Sequence, residues 1–166
     1  MLFCITGNGK GKTTSCLGMA LRMLGNGGKV FFMQFMKGSE YSEIKALKTF
    51  DNIETHLAGR KGFIKRNAEE EDKKAAREGW DLFVKKLDED FDLYILDELN
   101  VAMFYELLPM DEVKGVLEKA AEEKDIVISG RYAPEELQEI AKMVSNVQEV
   151  KHHYQEGIPA RKGIEF

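Results

Sequence analysis

The sequence predicts a three-layer α/β domain, with a mostly parallel central sheet covered by helices on both faces. Short apolar runs, of the kind that form strands buried on both sides, alternate with longer stretches of helical periodicity. The first such run, residues 2–6, passes directly into a glycine-rich loop and then a helix, the opening of a βα unit. At 166 residues the chain is large enough to bury a core without disulfides or structural metals, and with no internal repeat or linker residues 1–166 read as one domain.

After the loop, Leu17, Ala20, Leu21 and Leu24 recur at helical spacing, and Gly25, Asn26, Gly27 and Gly28 stop that helix. Residues 30–34 form the second strand and 53–57 a weaker third. From 68 to 87 a charged helix places Trp80, Phe83, Val84 and Leu87 on one face, with Glu69 and Lys73, and Glu70 and Lys74, paired on another. Residues 93–96 make a strand that delivers Asp97 and Glu98 at its end. Pro109 precedes a helix over 110–123, residues 126–129 form a further strand, and Pro134 opens a helix with Leu137, Ile140, Ala141 and Val144 facing inward. Residues 147–150 read as the last strand. Two stretches, 37–50 and 59–67, lack clear periodicity and are expected to be long loops, which often carry function. The second is basic, with Arg60, Lys61, Lys65 and Arg66, and suits a lid over an anionic ligand as well as a plain solvated loop.

A formal net charge of -5 argues against broad nucleic-acid binding, which needs a basic face to displace counterions. Cys4 and Cys16 lack metal-ligand spacing and sit in apolar contexts, so both read as reduced, buried thiols in a cytoplasmic protein. No segment approaches the roughly 18 apolar residues of a membrane helix, and the first residues do not read as a leader, so no membrane association is expected.

Residues 7–14 read GNGKGKTT. Glycines let the backbone curl so that successive N–H groups point inward, and the following helix adds the partial positive charge of its N-terminus, so the segment suits a nucleotide triphosphate. Gly7, Asn8, Gly9, Lys10, Gly11, Lys12, Thr13 and Thr14 are the candidate ATP-binding residues, with Lys12 along the phosphates and Thr13 giving its hydroxyl to Mg²⁺. The common motif begins with glycine where this chain has Thr6, so the loop is a variant. Asp97 and Glu98 reach the C-terminal edge of the sheet, where ligands collect, and are the candidate metal carboxylates; as plain structure they would only cap the next helix. Arg131 follows another apolar strand to the same edge and suits a phosphate clamp or a surface ion pair. His152 and His153 are adjacent, so on a strand they would face opposite ways, and neither joins a metal-ligand or nucleophile constellation.

Several segments recur together in order: TGNGKGKTT from Thr6, QFMKG from Gln34, Gly62-Phe63, LDELNVAM from Leu96, LPMDEV from Leu108, SGRYAPEEL from Ser129, VKHHYQEG from Val150 and the terminal GIEF. As a set covering nearly the whole chain they resemble the ATP:corrinoid adenosyltransferases that act on cob(I)alamin and cob(I)yrinic acid a,c-diamide. The resemblance implies a RecA-like P-loop NTPase fold, a homodimer, and transfer of the 5'-deoxyadenosyl group from ATP to cobalt(I) with release of triphosphate. It implies that Lys12 and Glu98 are catalytic, that Thr13, Asp97 and Glu98 serve Mg²⁺, and that Phe63 meets the reduced corrinoid, which an unidentified cobalt reductase supplies. Cobalt(I) itself attacks C5', so no protein nucleophile is needed, and the nucleotide is taken to lie reversed on the loop.

Two features depart from that family. Its usual Gly-Phe-Thr-Trp is here Gly62-Phe63-Ile64-Lys65, which either favours an incomplete corrinoid over complete cobalamin as acceptor or implies a different way of displacing the lower axial ligand. Longer members close the site with an N-terminal extension, whereas this sequence starts at the strand, so closure is expected from elsewhere, such as 59–67. From the residues alone, an ATPase or small-molecule kinase using Glu98 to activate a nucleophile, and a nucleotide-dependent corrinoid-binding module, stay open.

Overall fold

The computed structural model describes residues 1–60 and 68–165. Strands β1 (Leu2–Thr6), β2 (Val30–Phe35), β3 (Ile53–Ala58), β4 (Leu93–Asp97), β5 (Ile126–Ser129) and β6 (Met143–Asn146) form one six-stranded sheet in the order β3-β2-β4-β5-β1-β6. Every neighbouring pair is parallel. The helices are α1 (Lys12–Gly25), α2 (Ser42–Leu47), α3 (Glu70–Lys86), α4 (Leu99–Phe104), α5 (Met110–Ala120) and α6 (Glu135–Ile140), followed by a 3₁₀ turn at His153–Glu156.

The three layers follow from the alternation of side chains along each strand. Phe31, Met33 and Phe35 of β2, Tyr94 and Leu96 of β4 and Ile126 and Ile128 of β5 point into one core, which α3, α4, α5 and α6 cover. Val30 and Phe32, Leu93 and Ile95, and Val127 point the other way, onto Cys16, Ala20 and Leu24 of α1 and Ile44 and Leu47 of α2. Both faces of each central strand are dry, which is why these strands read as unbroken apolar runs. On the first face Phe31, Phe83, Phe91 and Tyr94 pack ring to ring with centroids 5.6–6.4 Å apart. Aromatic pairs of this kind add about 1 kcal/mol each beyond simple burial and stiffen the sheet under the site.

The sequence expectations need correction at five places. Residues 37–50 are not all loop, since α2 forms there and buries Ile44 and Leu47. The segment after Pro134 stops being helical at Ile140, because Ala141 is extended (ψ 137°), and Val144 lies on β6, 41% exposed, instead of facing inward from a helix. The last strand is therefore 143–146 and not 147–150: β1 offers an open edge, and Cys4 pairs with Val144 across it. Leu21 and Val84, expected on the core faces of their helices, are exposed, while Cys16 joins Ala20 and Leu24 on the buried face of α1. On α3 the expected i,i+4 pairs are replaced by Lys73–Glu70 and Lys74–Glu78; Glu69 instead pairs with Arg60, and its backbone N–H donates to Asp72 Oδ2 at 2.9 Å.

Candidate functional site

The parallel register sets the ends of β1, β2, β4 and β5 side by side: Gln34 is level with Asp97, and Ile5 with Ser129. At this edge the chain leaves β1 through Gly7 (φ 103°) and Gly11 (φ 131°), conformations strained for any residue with a side chain, before α1 starts at Lys12. A Cβ on Gly7 would fall 2.4 Å from the Val147 carbonyl oxygen, and one on Gly9 2.5 Å from that of Gln148. The loop lies tight against the chain leaving β6, and Gly9 N–H donates to Val147 O at 2.7 Å. These glycines thus serve close packing as well as backbone curvature.

The loop, the start of α1 and the strand ends bound a cavity of about 1070 Å³ lined by Gly9, Lys10, Gly11, Lys12, Thr13, Thr14, Glu98 and Arg131. α1 carries no acidic residue of its own in its first turn, so the helix itself does not cancel the positive end of its dipole, which faces this space. Lys12 is only 7% exposed and donates to Gly9 O at 2.7 Å, folded onto its own loop. Burial, and then the charge of Arg131, lower its pKa from the usual lysine value.

Thr13 Oγ1 lies 3.1 Å from both carboxylate oxygens of Asp97, which is completely buried. Asp97 also accepts from Gln34 Nε2 at 3.0 Å and from Ser129 Oγ at 2.5 Å, while the Glu98 N–H donates to Ser129 Oγ at 3.3 Å. Gln34, Ser129 and Thr13 therefore hold Asp97 as a fixed charge, and charge-assisted bonds of this kind are the strong ones. Glu98 is different. Its backbone is left-handed (φ 62°), and its carboxylate passes over Gly130, where a Cβ would meet Glu98 Oε2 at 3.2 Å. Burial, and next the charge of Asp97, raise its pKa above the ordinary carboxyl value, with Lys37, Lys12 and Arg131 working against them. Met36 (φ 63°), Gly130 (φ 131°) and Tyr132 (φ 58°) are also left-handed, so backbone strain collects just past the ends of β2, β4 and β5. Strain of this kind persists where surrounding structure holds a site in place.

Arg131 Nη2 donates to Asn8 O at 3.3 Å, bringing the β5 end to the loop as the sequence suggested. Lys10 turns its ammonium away onto the C-terminal segment, donating to Ile164 O at 2.8 Å and to Glu165 Oε1 at 2.9 Å, so its backbone is what it presents to the loop. Ala160, Gly163, Ile164 and Glu165 line the same cavity and supply one wall of it, while 61–67 of the expected lid lie outside the described residues. Phe63 and Lys65 lie outside the described residues. His152 and His153, expected to face opposite ways, instead stack with centroids 4.6 Å apart at the 3₁₀ turn, and His152 lines the cavity. Sequence reasoning missed Gln34, Lys37, Ser129 and the tail as cavity or carboxylate partners. Gln34 and Ser129 lie at the ends of apolar strands, a signal that would have found them; the tail carries no periodicity, and its one signal is the terminal GIEF among the resembling segments.

A glycine-rich loop between β1 and α1, facing a carboxylate pair on β4 with β5 between them, defines a P-loop NTPase fold. The flagellar accessory protein FlaH from Methanocaldococcus jannaschii has a similar fold, with a TM-score of 0.58 at 16% identity over 87% of this chain and 70% of that one. The profile of the ATP:corrinoid adenosyltransferase BtuR/CobO/CobP family matches residues 1–166. The corrinoid adenosyltransferase of Escherichia coli (strain K12) is 33% identical over 167 residues, covering 100% of this chain and 85% of that protein. That of Pseudomonas aeruginosa is 34% identical over 169 residues, covering 100% and 83%. The chain belongs to the ATP:corrinoid adenosyltransferase family.

Proposed function

We propose that the protein transfers the 5'-deoxyadenosyl group of ATP to the cobalt(I) of a corrinoid and releases inorganic triphosphate. The observation that supports this best is the match of the whole chain, 1–166, to one adenosyltransferase family, with the glycine-rich loop and Glu98 lining one cavity and Asp97 buried beside Thr13. Cobalt(I) is the nucleophile: its electron pair forms the bond to C5', the C5'–oxygen bond breaks, and its electrons leave on the triphosphate. The work left to the protein is orientation and charge stabilisation. The loop amides from Gly7 to Thr14 cradle the phosphates, Lys12 shifts from Gly9 O to a phosphate oxygen, and Arg131 closes on the chain from β5. Phe63 is proposed to meet the corrinoid, with Lys65 directing preference toward an incomplete one.

Magnesium is proposed as the cation of the site, and the donors fit it. They are hard hydroxyl and carboxylate oxygens, and among the described residues no three His, Cys, Asp or Glu side chains form a protein cage. Magnesium is commonly held this way, by one or two protein oxygens with phosphate and water completing the shell. Gln34 Oε1, buried with no donor partner, offers an acceptor to a water of such a shell. Thr13 would ligate directly, Asp97 through water because its oxygens are already engaged, and Glu98 from the open side. The ion would supply neutralisation of the triphosphate.

We further propose a cytoplasmic homodimer that receives its corrinoid from a separate cobalt reductase; the free, buried Cys4 and Cys16 suit a reducing compartment. The deciding experiment incubates the protein with ATP, Mg²⁺ and cob(I)alamin or cob(I)yrinic acid a,c-diamide. Triphosphate together with a carbon–cobalt bond is the expected result. ADP or phosphate without adenosylation would overturn the reading in favour of a kinase or ATPase, and corrinoid binding without product would make the protein a binding module.

A further inference from the structure

We propose that Lys37 is a catalytic residue, donating to the end of the triphosphate remote from the loop, where charge accumulates as the C5'–oxygen bond breaks. This rests on the adenosyl-transfer reading and on a nucleotide lying reversed across the loop.

Three independent features place Lys37 there. Just past the end of β2, Met36 adopts a left-handed turn (φ 63°), which takes the chain out of the strand direction immediately before Lys37. The neighbouring strand leaves room for that turn: a Cβ on Gly59, just past β3, would lie 2.5 Å from Lys37 N and 2.6 Å from Met36 C. The side chain then lines the cavity shared by Lys12, Thr13, Glu98 and Arg131.

The sheet order gives the position its meaning. β4, carrying Asp97 and Glu98, has β5 and β1 on one side and β2 on the other, so Arg131 and Lys12 approach the carboxylates from one flank and Lys37 from the opposite one. A triphosphate gripped by the loop and running across the end of β4 is therefore met at its far end by Lys37. With the outer phosphates on the loop, that far end is the α-phosphate, whose oxygen keeps the electron pair of the broken bond.

The ammonium is also loosely held. Lys37 Nζ is 3.5 Å from Glu43 Oε1, 4.0 Å from Asp97 Oδ2 and 4.8 Å from the Tyr41 ring centroid. Tight charge-assisted bonds measure about 2.7–2.9 Å, so Lys37 has donors to spare for a stronger anion. A purely structural reading makes Lys37 a bridge between the β2 end and Glu43 of α2.

The test compares Lys37→Ala and Lys37→Arg with the wild type in three measurements: kcat for adenosyl transfer to cob(I)alamin, equilibrium binding of MgATP, and equilibrium binding of magnesium tripolyphosphate. Lys37→Ala is expected to lose about 10²-fold in kcat, the usual cost of one lost transition-state donor, and to weaken tripolyphosphate more than ATP. Lys37→Arg should recover part of the rate. Unchanged kcat, equal weakening of ATP and tripolyphosphate, or reproduction of the whole defect by Glu43→Gln would overturn the proposal. If the wild type transfers no adenosyl group, the functional reading fails by itself, and the tripolyphosphate comparison still decides whether Lys37 contacts phosphate.

Discussion

The hydroxyl of Thr13, at the start of α1, lies 3.1 Å from each oxygen of Asp97, at the end of β4, joining loop and carboxylate strand into one unit. Thr13→Ser preserves that donor and should keep most activity. Thr13→Val removes it and leaves the buried Asp97 with Gln34 and Ser129 as its close donors. The Mg²⁺ concentration needed for half-maximal ATP binding should rise about 10–100-fold in Thr13→Val, as for other losses in the support of a metal site. A Mg²⁺ titration unchanged from the wild type would remove Thr13 from the metal's surroundings.

Glu98 is a carboxylate whose ionisation its burial and Asp97 oppose. Its pKa is raised above the ordinary 4.5 by burial and by Asp97, so between 4.5 and the raised value the native state binds more protons than the unfolded one. Stability contributed by the protonated form is therefore fully present below 4.5 and declines as pH rises through the raised value. Glu98→Gln should raise stability at neutral pH by about 1 kcal/mol, or about 2–4 °C in Tm, with the gain shrinking below the ordinary carboxyl range. The same variant should lose adenosyl transfer. Thermal melts at neutral and acid pH check the first effect and turnover the second.

How much of this was legible depends on where the information lies. β2, β4 and β5 are buried on both faces, and a strand of that kind writes itself as a nearly continuous apolar run such as residues 93–96 before Asp97. The loop and its carboxylates were readable because phosphate binding demands glycines, Lys12 and Thr13 at fixed spacing beside a strand. β6 was not, because Met143–Asn146 is an exposed edge strand whose existence depends on pairing with β1, a contact invisible in local periodicity. Lys37 was hidden for a related reason: its placement is set by a left-handed Met36 and by Gly59, which lies 22 positions further along the chain.

Gly9 and Gly11 should fail differently when changed to alanine. Gly9 has an ordinary φ but no room, since its Cβ would press to 2.5 Å on the Gln148 carbonyl oxygen. Gly11 has room, with Val147 Cγ1 at 3.8 Å as its nearest neighbour, but a φ of 131°. Gly9→Ala is expected to push loop and β6 apart and cost about 1–3 kcal/mol, with a matching loss of ATP affinity. Gly11→Ala is expected to cost about 1–3 kcal/mol through backbone strain alone. Amide exchange at position 9, whose N–H donates to Val147 O, separates the two, since only Gly9→Ala should speed it.

The C-terminal wall of the cavity is held by Lys10, whose ammonium reaches both Ile164 O and Glu165. Glu165 is gathered further by the Arg161 backbone N–H at 2.6 Å and by His153 Nε2 at 3.4 Å. The Lys10 ammonium, with the Arg161 N–H, holds the Glu165 carboxyl below its usual range. The clasp is therefore intact at neutral pH and is lost as pH falls through that lowered value. If it fixes the wall, Glu165→Gln should weaken ATP binding about two- to fivefold at low salt, and high salt should erase most of the difference. Lys10→Met also removes the bond to Ile164 O and should lose at least as much, and the double variant should be no worse than Lys10→Met, because the Lys10–Glu165 contact is already gone in it. Additive losses in that cycle would mean that Lys10 acts on the phosphates directly and that the tail is held by other contacts.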